Sequence, residues 1–261
     1  MKKPDVRAVL MNWAECIPES EVAILLSAGI DSTSLLFALL ESGKKVTAYS
    51  FMLDGKVSTD FSLARKNAKT FGCEFVPVFL PLDIEVLIED LRRLKQLGAQ
   101  KKTDFECGWP MLYAYAAVKE YVVASGMGAD GHFCISKKGM LHFRDKIDEF
   151  RLNLYNSRSY AQRPIHEAIA AQLNKRPELP YLSQEMKEQF LGTSWAQVNK
   201  PKQKQPIIDA FADSFQRLKI LPHTNLQLGD SGIAQHFESL LKSRLNTEGH
   251  KSVVSIYNRL K

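Results

Sequence analysis

The chain has 261 residues, of which 45% are hydrophobic and 25% charged, and its formal net charge is +6. These proportions are typical of a globular protein with a sizeable buried core, and they exclude a disordered or collagen-like chain. No apolar run is long enough to span a bilayer, and the N-terminus lacks the apolar segment of a signal peptide. We therefore expect a cytoplasmic protein without membrane association, whose positive charge favours anionic ligands.

Strand-like and helix-like segments alternate through the first half of the chain. Short apolar segments predict strands at residues 22–26, 45–53, 74–80 and 121–125. Helical spacing predicts helices between and after them, at residues 32–41, 61–71, 84–97 and 109–117. This alternation predicts an α/β fold, with a twisted parallel sheet covered by helices on both faces.

Strand signals fade after about residue 143, and prolines interrupt the helix-like segments that follow. Proline removes a backbone donor and ends or kinks a helix, so short helices are expected there. We therefore expect an α/β core in residues 1–145. Residues 146–261 are expected to form a mainly helical region that completes the active site.

The loop after the first predicted strand, SAGIDS at residues 27–32, has the composition of an anion-binding turn. The small residues Ala28 and Gly29 allow the backbone to approach an anion, and the next helix begins with free N–H groups. Asp31 would repel a phosphate unless a cation such as magnesium lies between them. A tight turn without a ligand is the alternative. The loop is not a Walker A motif, because it lacks the Gly-Lys-Ser/Thr ending.

A second glycine-rich turn, SGMGAD at residues 125–130, follows the fourth predicted strand. If the two strands are neighbours in a parallel sheet, both turns lie at the same edge and can face one ligand. Asp31 and Asp130 could then share a magnesium ion. The alternative is a strand-end turn that binds nothing.

The first loop resembles the S-G-G-x-D-S signature of the PP-loop ATP pyrophosphatases. The second resembles the S-G-E-G-A-D-E motif of the asparagine synthetase C-terminal domain family. Further similar segments occur in the family's order at residues 50–55, 63–72, 109–119, 180–183 and 204–211. The resemblance spans about residues 20–240. It implies a PP-loop fold and an enzyme that cleaves ATP between its α and β phosphates.

The resemblance also implies the roles of individual residues. The expected ATP-binding residues are Leu25, Ser27, Ala28, Gly29, Ile30, Asp31, Ser32, Leu53, Ser125 and Gly126. Leu53 would contact the adenine, and Asp31 and Asp130 would hold magnesium. Lys204 would neutralise phosphate charge as pyrophosphate leaves, although a solvated lysine in a basic run is the alternative.

Three departures from the family pattern concern the substrate side of the site. Met127 stands where the family has a glutamate, and Gly131 stands where it has a closing acid. The family's late catalytic lysine should fall near residues 225–229, which read NLQLG and contain no basic residue. Lys202 or Lys219 could replace it as a catalytic residue. Otherwise the second half-reaction differs, or the protein binds nucleotide without turnover.

We expect an ATP-dependent, AMP-forming ligase that uses ATP and magnesium to join a small-molecule carboxylate to ammonia or an amine. No glutaminase domain is expected, because position 2 is not cysteine and only about 20 residues precede the first strand. A separate glutaminase or amine-supplying partner is therefore considered. The alternatives are a nucleotide-binding regulator or inactive relative, and a PP-loop enzyme that modifies nucleic acid. No two cysteines form a C-x-x-C pair, which argues against a cluster-carrying version of the latter.

Overall fold

The computed structural model describes residues 3–157, 160–219, 229–244, 246 and 249–260. At its centre is a parallel sheet of five strands in the order β3-β2-β1-β4-β5. The strands are β1 (Glu21–Leu25), β2 (Lys45–Leu53), β3 (Glu74–Leu80), β4 (Val122–Ser125) and β5 (Arg176–Glu178). The predicted parallel α/β fold is confirmed.

Helices surround the sheet and dominate the second half of the chain. Those up to β4 are α1 (Val6–Cys16), α2 (Ile30–Glu41), α3 (Thr59–Thr70), α4 (Ile84–Gln96) and α5 (Lys102–Ala117). Those after β4 are α6 (Lys137–Phe143), α7 (Ile147–Tyr155), α8 (Arg163–Gln172), α9 (Gln184–Phe190), α10 (Trp195–Asn199), α11 (Gln205–Ala210), α12 (Ala212–Gln216), α13 (Ile233–Ser239) and α14 (Val253–Arg259). Short 3-10 turns include Ala129–His132, Tyr160–Gln162 and Pro180–Leu182. Within the described ranges, no helix combines the length and hydrophobicity needed to cross a bilayer.

Two elements were not predicted from the sequence. Helix α1 packs against α2, and its Leu10 belongs to the same apolar cluster as Leu36 of α2. Strand β5 pairs with β4 in the register Val122↔Arg176 and Ala124↔Glu178. Its three residues include Pro177, which an edge strand tolerates because one side of that strand needs no ladder donor. Such a short, polar segment has no apolar alternation and therefore no local sequence signal.

The buried side chains form one apolar cluster on each face of the sheet. Val22 and Ile24 of β1 belong to the first cluster, whereas Ala23 between them belongs to the second. This is the alternation that a strand covered on both faces requires. Helices of the C-terminal region contribute to both clusters, with Phe190 in the first and Phe237 in the second.

The sheet order brings two strand ends together at the centre. Strand β1 lies between β2 and β4, and Leu25 at its end is aligned with both Tyr49 and Ser125. The loops that follow β1 and β4 therefore leave the same edge of the sheet side by side. This is the edge where open parallel sheets bind ligands.

Candidate active site

The loop at residues 27–32, here called the phosphate loop, is held by its own serines. The Ser32 hydroxyl accepts the Ser27 N–H at 3.1 Å, and the Ser27 hydroxyl accepts the Gly29 N–H at 3.1 Å. Gly29 is the N-cap of α2, so no N-cap side chain accepts a hydrogen bond from the N–H groups of the first turn. The helix begins at Ile30, earlier than predicted, and its uncapped N-terminus is suited to an anion.

Asp60, in the first turn of α3, contacts this loop although its local sequence does not mark it as a site residue. Its Oδ1 accepts the Ala28 N–H at 2.9 Å. Burial raises the pKa of Asp60, the Ala28 N–H opposes that rise, and the nearby Asp230 carboxylate adds to it. The sequence around Asp60 predicted only an ordinary helix start, since Ser58 caps α3 through the Phe61 N–H.

The second glycine-rich turn, residues 125–130 and here called the second loop, packs directly against the phosphate loop through Gly126. A Cβ atom at this position would lie 2.7 Å from the Ser32 nitrogen and 2.9 Å from the Asp31 carbonyl carbon. Such contacts with backbone cannot be relieved by a rotamer change, so only glycine allows the two loops to approach this closely. The predicted meeting of the two turns is thereby a feature of the structure.

Lys204 joins the two loops. Its Nζ lies 2.5 Å from Asp31 Oδ2 and 2.6 Å from Asp130 Oδ1. The Lys204 side chain is 4% exposed, against 20% for Asp31 and 50% for Asp130. Burial lowers the pKa of Lys204, but the attraction of the two carboxylates outweighs it and the pKa lies above its usual value. Lys204 is therefore a charged, buried residue and not a solvated one.

The two carboxylates form a cation site by their chemistry. Both oxygens lie within 2.6 Å of one positively charged nitrogen, so the space between them already accommodates a cation. Magnesium is commonly held by one or two carboxylates together with substrate phosphates and water. No group of three or more His, Cys, Asp or Glu side chains that could hold a metal occurs among the described residues. Asp31 and Asp130 thus fit a magnesium ion whose remaining ligands would be phosphate oxygens and water.

A buried network supports the second loop from behind. The fully buried Arg151 donates from Nε and Nη2 to the His132 carbonyl oxygen, at 3.0 and 2.7 Å. The His132 ring hydrogen-bonds to the Tyr181 carbonyl oxygen at 2.8 Å and to the Tyr155 hydroxyl. Burial lowers the pKa of His132 to about 3, so the ring is neutral near physiological pH.

The same network reaches the phosphate loop through a tyrosine. The hydroxyls of Tyr181 and Ser34 are 2.6 Å apart, and the Ser34 hydroxyl donates to the Asp31 carbonyl oxygen at 2.7 Å. Tyr181 therefore connects the first turn of α2 to the support of the second loop. The sequence offered PYLS at residues 180–183 as a weak family match, but no local pattern showed that its tyrosine is buried between the loops.

The C-terminal region also reaches the expected adenine side. Leu53 is buried at the end of β2, and a Cβ atom at Gly232 would lie 3.0 Å from its Cδ1. Asp230 accepts the Thr59 N–H at 2.8 Å, next to Asp60. The segment around residues 230–232 therefore borders Leu53, a contact between distant parts of the chain that has no local sequence signal.

The remaining candidates are placed less centrally. Leu25 is half-buried at the end of β1, and Ser125 is buried at the end of β4. Lys202 is exposed, and its backbone N–H donates to the Gln205 side chain at 3.1 Å. Lys219 is also exposed, and residues 225–228 lie outside the described part of the chain. Of the basic residues considered, Lys204 is the one that the structure brings to both carboxylates.

One family model and several solved structures resemble this chain. The family model described as asparagine synthase matches residues 15–219. NMN synthetase from Francisella tularensis is similar in structure, at 16% identity and a TM-score of 0.38, over 84% of this chain and 97% of that one. The U34-tRNA thiolase NcsA from Methanococcus maripaludis, solved with its 4Fe-4S cluster, has 16% identity and a TM-score of 0.37, over 98% of this chain and 78% of that one. No curated protein is significantly similar in sequence.

Proposed function

This chain belongs to the asparagine synthase family, and on that premise we propose that it is an ATP-dependent, AMP-forming amide ligase. The enzyme would adenylate a small-molecule carboxylate and pass the acyl group to ammonia or an amine. The observation that carries the proposal is the Lys204 bridge, which joins carboxylates from two strand-end loops. The site is compact and charged, and an uncapped helix N-terminus lies beside it. Such a site is suited to the phosphates of a nucleoside triphosphate.

Each part of the site has a role in this proposal. The phosphate loop and the N-terminus of α2 would bind the phosphates, while Leu53 would lie against the adenine. Asp31 and Asp130 would hold magnesium, which when bound neutralises phosphate charge. Lys204 would stay protonated and balance the charge that develops on the leaving pyrophosphate.

The proposed reaction has two steps. In the first, a carboxylate oxygen of the substrate attacks the α-phosphorus, and the bond to the β-phosphate oxygen breaks to release pyrophosphate. In the second, the nitrogen of ammonia or an amine attacks the acyl carbon, AMP leaves with the former carboxylate oxygen, and the nitrogen loses a proton. The chain would gain rate mainly by aligning the carboxylate with the α-phosphate.

The nitrogen source belongs to the same proposal. Ammonia or an amine could come from solution or from a separate glutaminase or amine-supplying subunit. Adding a glutaminase partner would replace the need for free ammonia without changing the first step, so the adenylation half-reaction can be measured by itself.

Carboxylate-dependent exchange of labelled pyrophosphate into ATP is the test of the first step. The protein is incubated with Mg²⁺, ATP and a panel of small carboxylates, and hydroxylamine is used in parallel to trap acyl-adenylates as hydroxamates. We expect exchange with at least one carboxylate class, and its loss in Asp130→Asn. Exchange that needs no carboxylate, or none with any member of the panel, would contradict the proposal.

A nucleotide-binding regulator is the second candidate, favoured by Met127 and Gly131 at positions where the family pattern has acids. It predicts ATP binding with neither exchange nor AMP formation, and binding that Asp130→Asn leaves unchanged. The net charge of +6 also favours a third candidate, an enzyme that modifies nucleic acid. That alternative predicts RNA or DNA binding that weakens steeply with salt.

A further inference from the structure

Tyr160 contacts the second loop from outside the family motifs. It lies in the 3-10 turn Tyr160–Gln162 that precedes α8, and its hydroxyl donates to the Gly128 carbonyl oxygen at 2.8 Å. Gly128 has a left-handed backbone, with φ of +91°, and lies two residues before Asp130. The Tyr160 hydrogen bond therefore acts on the turn that aims the Asp130 carboxylate at Lys204.

The tyrosine and Gly131 fit each other sterically. A Cβ atom at Gly131 would lie 2.1 Å from the Tyr160 hydroxyl oxygen and 2.7 Å from its Cζ. No side chain can occupy position 131 while Tyr160 is in place. Gly131, which departs from the family pattern, therefore leaves the space that the Tyr160 hydroxyl occupies.

The surroundings of Tyr160 keep its hydroxyl a donor. Burial raises the pKa of Tyr160, and the negative charges of Asp130 and Asp31 raise it further. The Tyr160 hydroxyl therefore remains protonated at neutral pH, and it lies close enough to Asp130 and Asp31 for their charges to raise its pKa. A neutral hydroxyl adds no negative charge to a site that would bind phosphates. An acidic side chain at position 131 would add one.

We propose that Tyr160 is a positioning residue that holds the Gly128–Asp130 turn, so that Asp130 can meet the magnesium ion of bound ATP. Tyr160 need not touch the substrate, since it acts through the Gly128 carbonyl oxygen. Arg151 and Tyr155 brace the other end of the same turn at His132. The inference rests on the proposed function, because it assumes that the site binds ATP with magnesium.

The test is nucleotide binding by Tyr160→Phe, which removes the hydroxyl and keeps the ring. Affinities for α,β-methylene-ATP are measured by calorimetry with excess Mg²⁺ and again in EDTA, together with thermal unfolding. We expect the Kd with Mg²⁺ to rise about tenfold, the value of one well-placed hydrogen bond, and the Kd in EDTA to change less than about twofold. Tyr113→Phe is the matched control, since its hydroxyl bonds to Asp90 between α4 and α5, and its Kd should equal that of the wild type.

A second variant keeps the test decisive if Tyr160→Phe is unstable. Gly131→Ala should displace the Tyr160 hydroxyl and raise the Kd with Mg²⁺ by a similar factor. The double variant should lose less binding free energy than the two single variants lose when added together. Equal affinity of Tyr160→Phe and wild type would overturn the inference and leave the ligase proposal standing, as would equal losses with Mg²⁺ and in EDTA. A wild-type protein that binds no nucleotide would overturn both.

Discussion

Lys204 Nζ lies 2.5 Å from Asp31 Oδ2, although the two residues are 173 positions apart in the chain. The pair joins the C-terminal helical region to the first turn of α2, and Asp130 completes the bridge from the second loop. Without Lys204, two carboxylates would face each other across a partly buried space. The lysine therefore has a structural role before any nucleotide binds, in addition to its proposed role toward pyrophosphate.

Lys204→Met should destabilise the free protein and increase its response to magnesium. Removing one partner of a buried ion pair costs about 3–5 kcal/mol, and the half-exposed Asp130 reduces this to about 2 kcal/mol here. Denaturant unfolding with and without Mg²⁺ measures both effects. Mg²⁺ should stabilise the variant more than the wild type, because a divalent cation can replace the missing ammonium.

The control for this change is Lys3→Met, which breaks an exposed ion pair with Asp209. Surface pairs of this kind contribute about 0–1 kcal/mol, so its stability should be close to that of the wild type. Equal stability of Lys204→Met and Lys3→Met would mean that the bridge contributes nothing to the fold.

Asp60 substitutions should distinguish the effect on ATP binding of the hydrogen bond from Ala28 from the effect of the Asp60 charge. Asp60→Asn keeps an oxygen that can accept the Ala28 N–H and removes a carboxylate near the expected phosphates, so ATP affinity should equal or exceed that of the wild type. Asp60→Ala loses the acceptor, and we expect ATP to bind about tenfold more weakly, as for the loss of one hydrogen bond. Titration with a fluorescent ATP analogue compares the three proteins. Weaker binding by Asp60→Asn than by Asp60→Ala would refute this account.

Gly126→Ala should separate the two loops. The added Cβ meets backbone atoms at 2.7 and 2.9 Å, and overpacking of this kind costs about 1–3 kcal/mol. We expect lower thermal stability and no measurable ATP binding. Gly43→Ala is the control, because a Cβ at Gly43 would meet no atom within 4 Å, so its cost comes only from the left-handed φ of +73°. It should lose about 1 kcal/mol from backbone strain and bind ATP normally.

His166 should contribute to acid sensitivity. Burial lowers its pKa to about 4 from 6.5, so the folded protein keeps the ring neutral while the unfolded chain takes up a proton below pH 6.5. Stability is therefore lost as the pH falls from about 6.5 to about 4, by up to about 1.4 kcal/mol per pH unit from this group. His166→Leu should flatten the profile over that range. Unfolding free energies at pH 7, 6, 5 and 4.5 test this, and an unchanged slope in the variant would count against it.

Local patterns were sufficient for most of the sheet. The four predicted strands and the helices between them agree with β1–β4 and α2–α5 apart from shifts at their ends, because buried parallel strands are short apolar runs and amphipathic helices repeat every 3.6 residues. Helix α1, the start of α5 at Lys102 and the whole of β5 were missed. A polar first turn and a three-residue edge strand have no such periodicity.

The sequence by itself also determined both loops, since a strand, a glycine-rich turn and a helix start are contiguous in the chain. It could name Asp31, Asp130 and Lys204, but it could not say that one ammonium contacts both carboxylates. That contact depends on the β1–β4 adjacency and on the path of a region more than 170 residues away. Tertiary packing likewise decided the contacts of Asp60, Tyr181 and Tyr160. Their partners are backbone and side-chain atoms distant in sequence, and a single side chain carries no local signal of which distant atom it will meet.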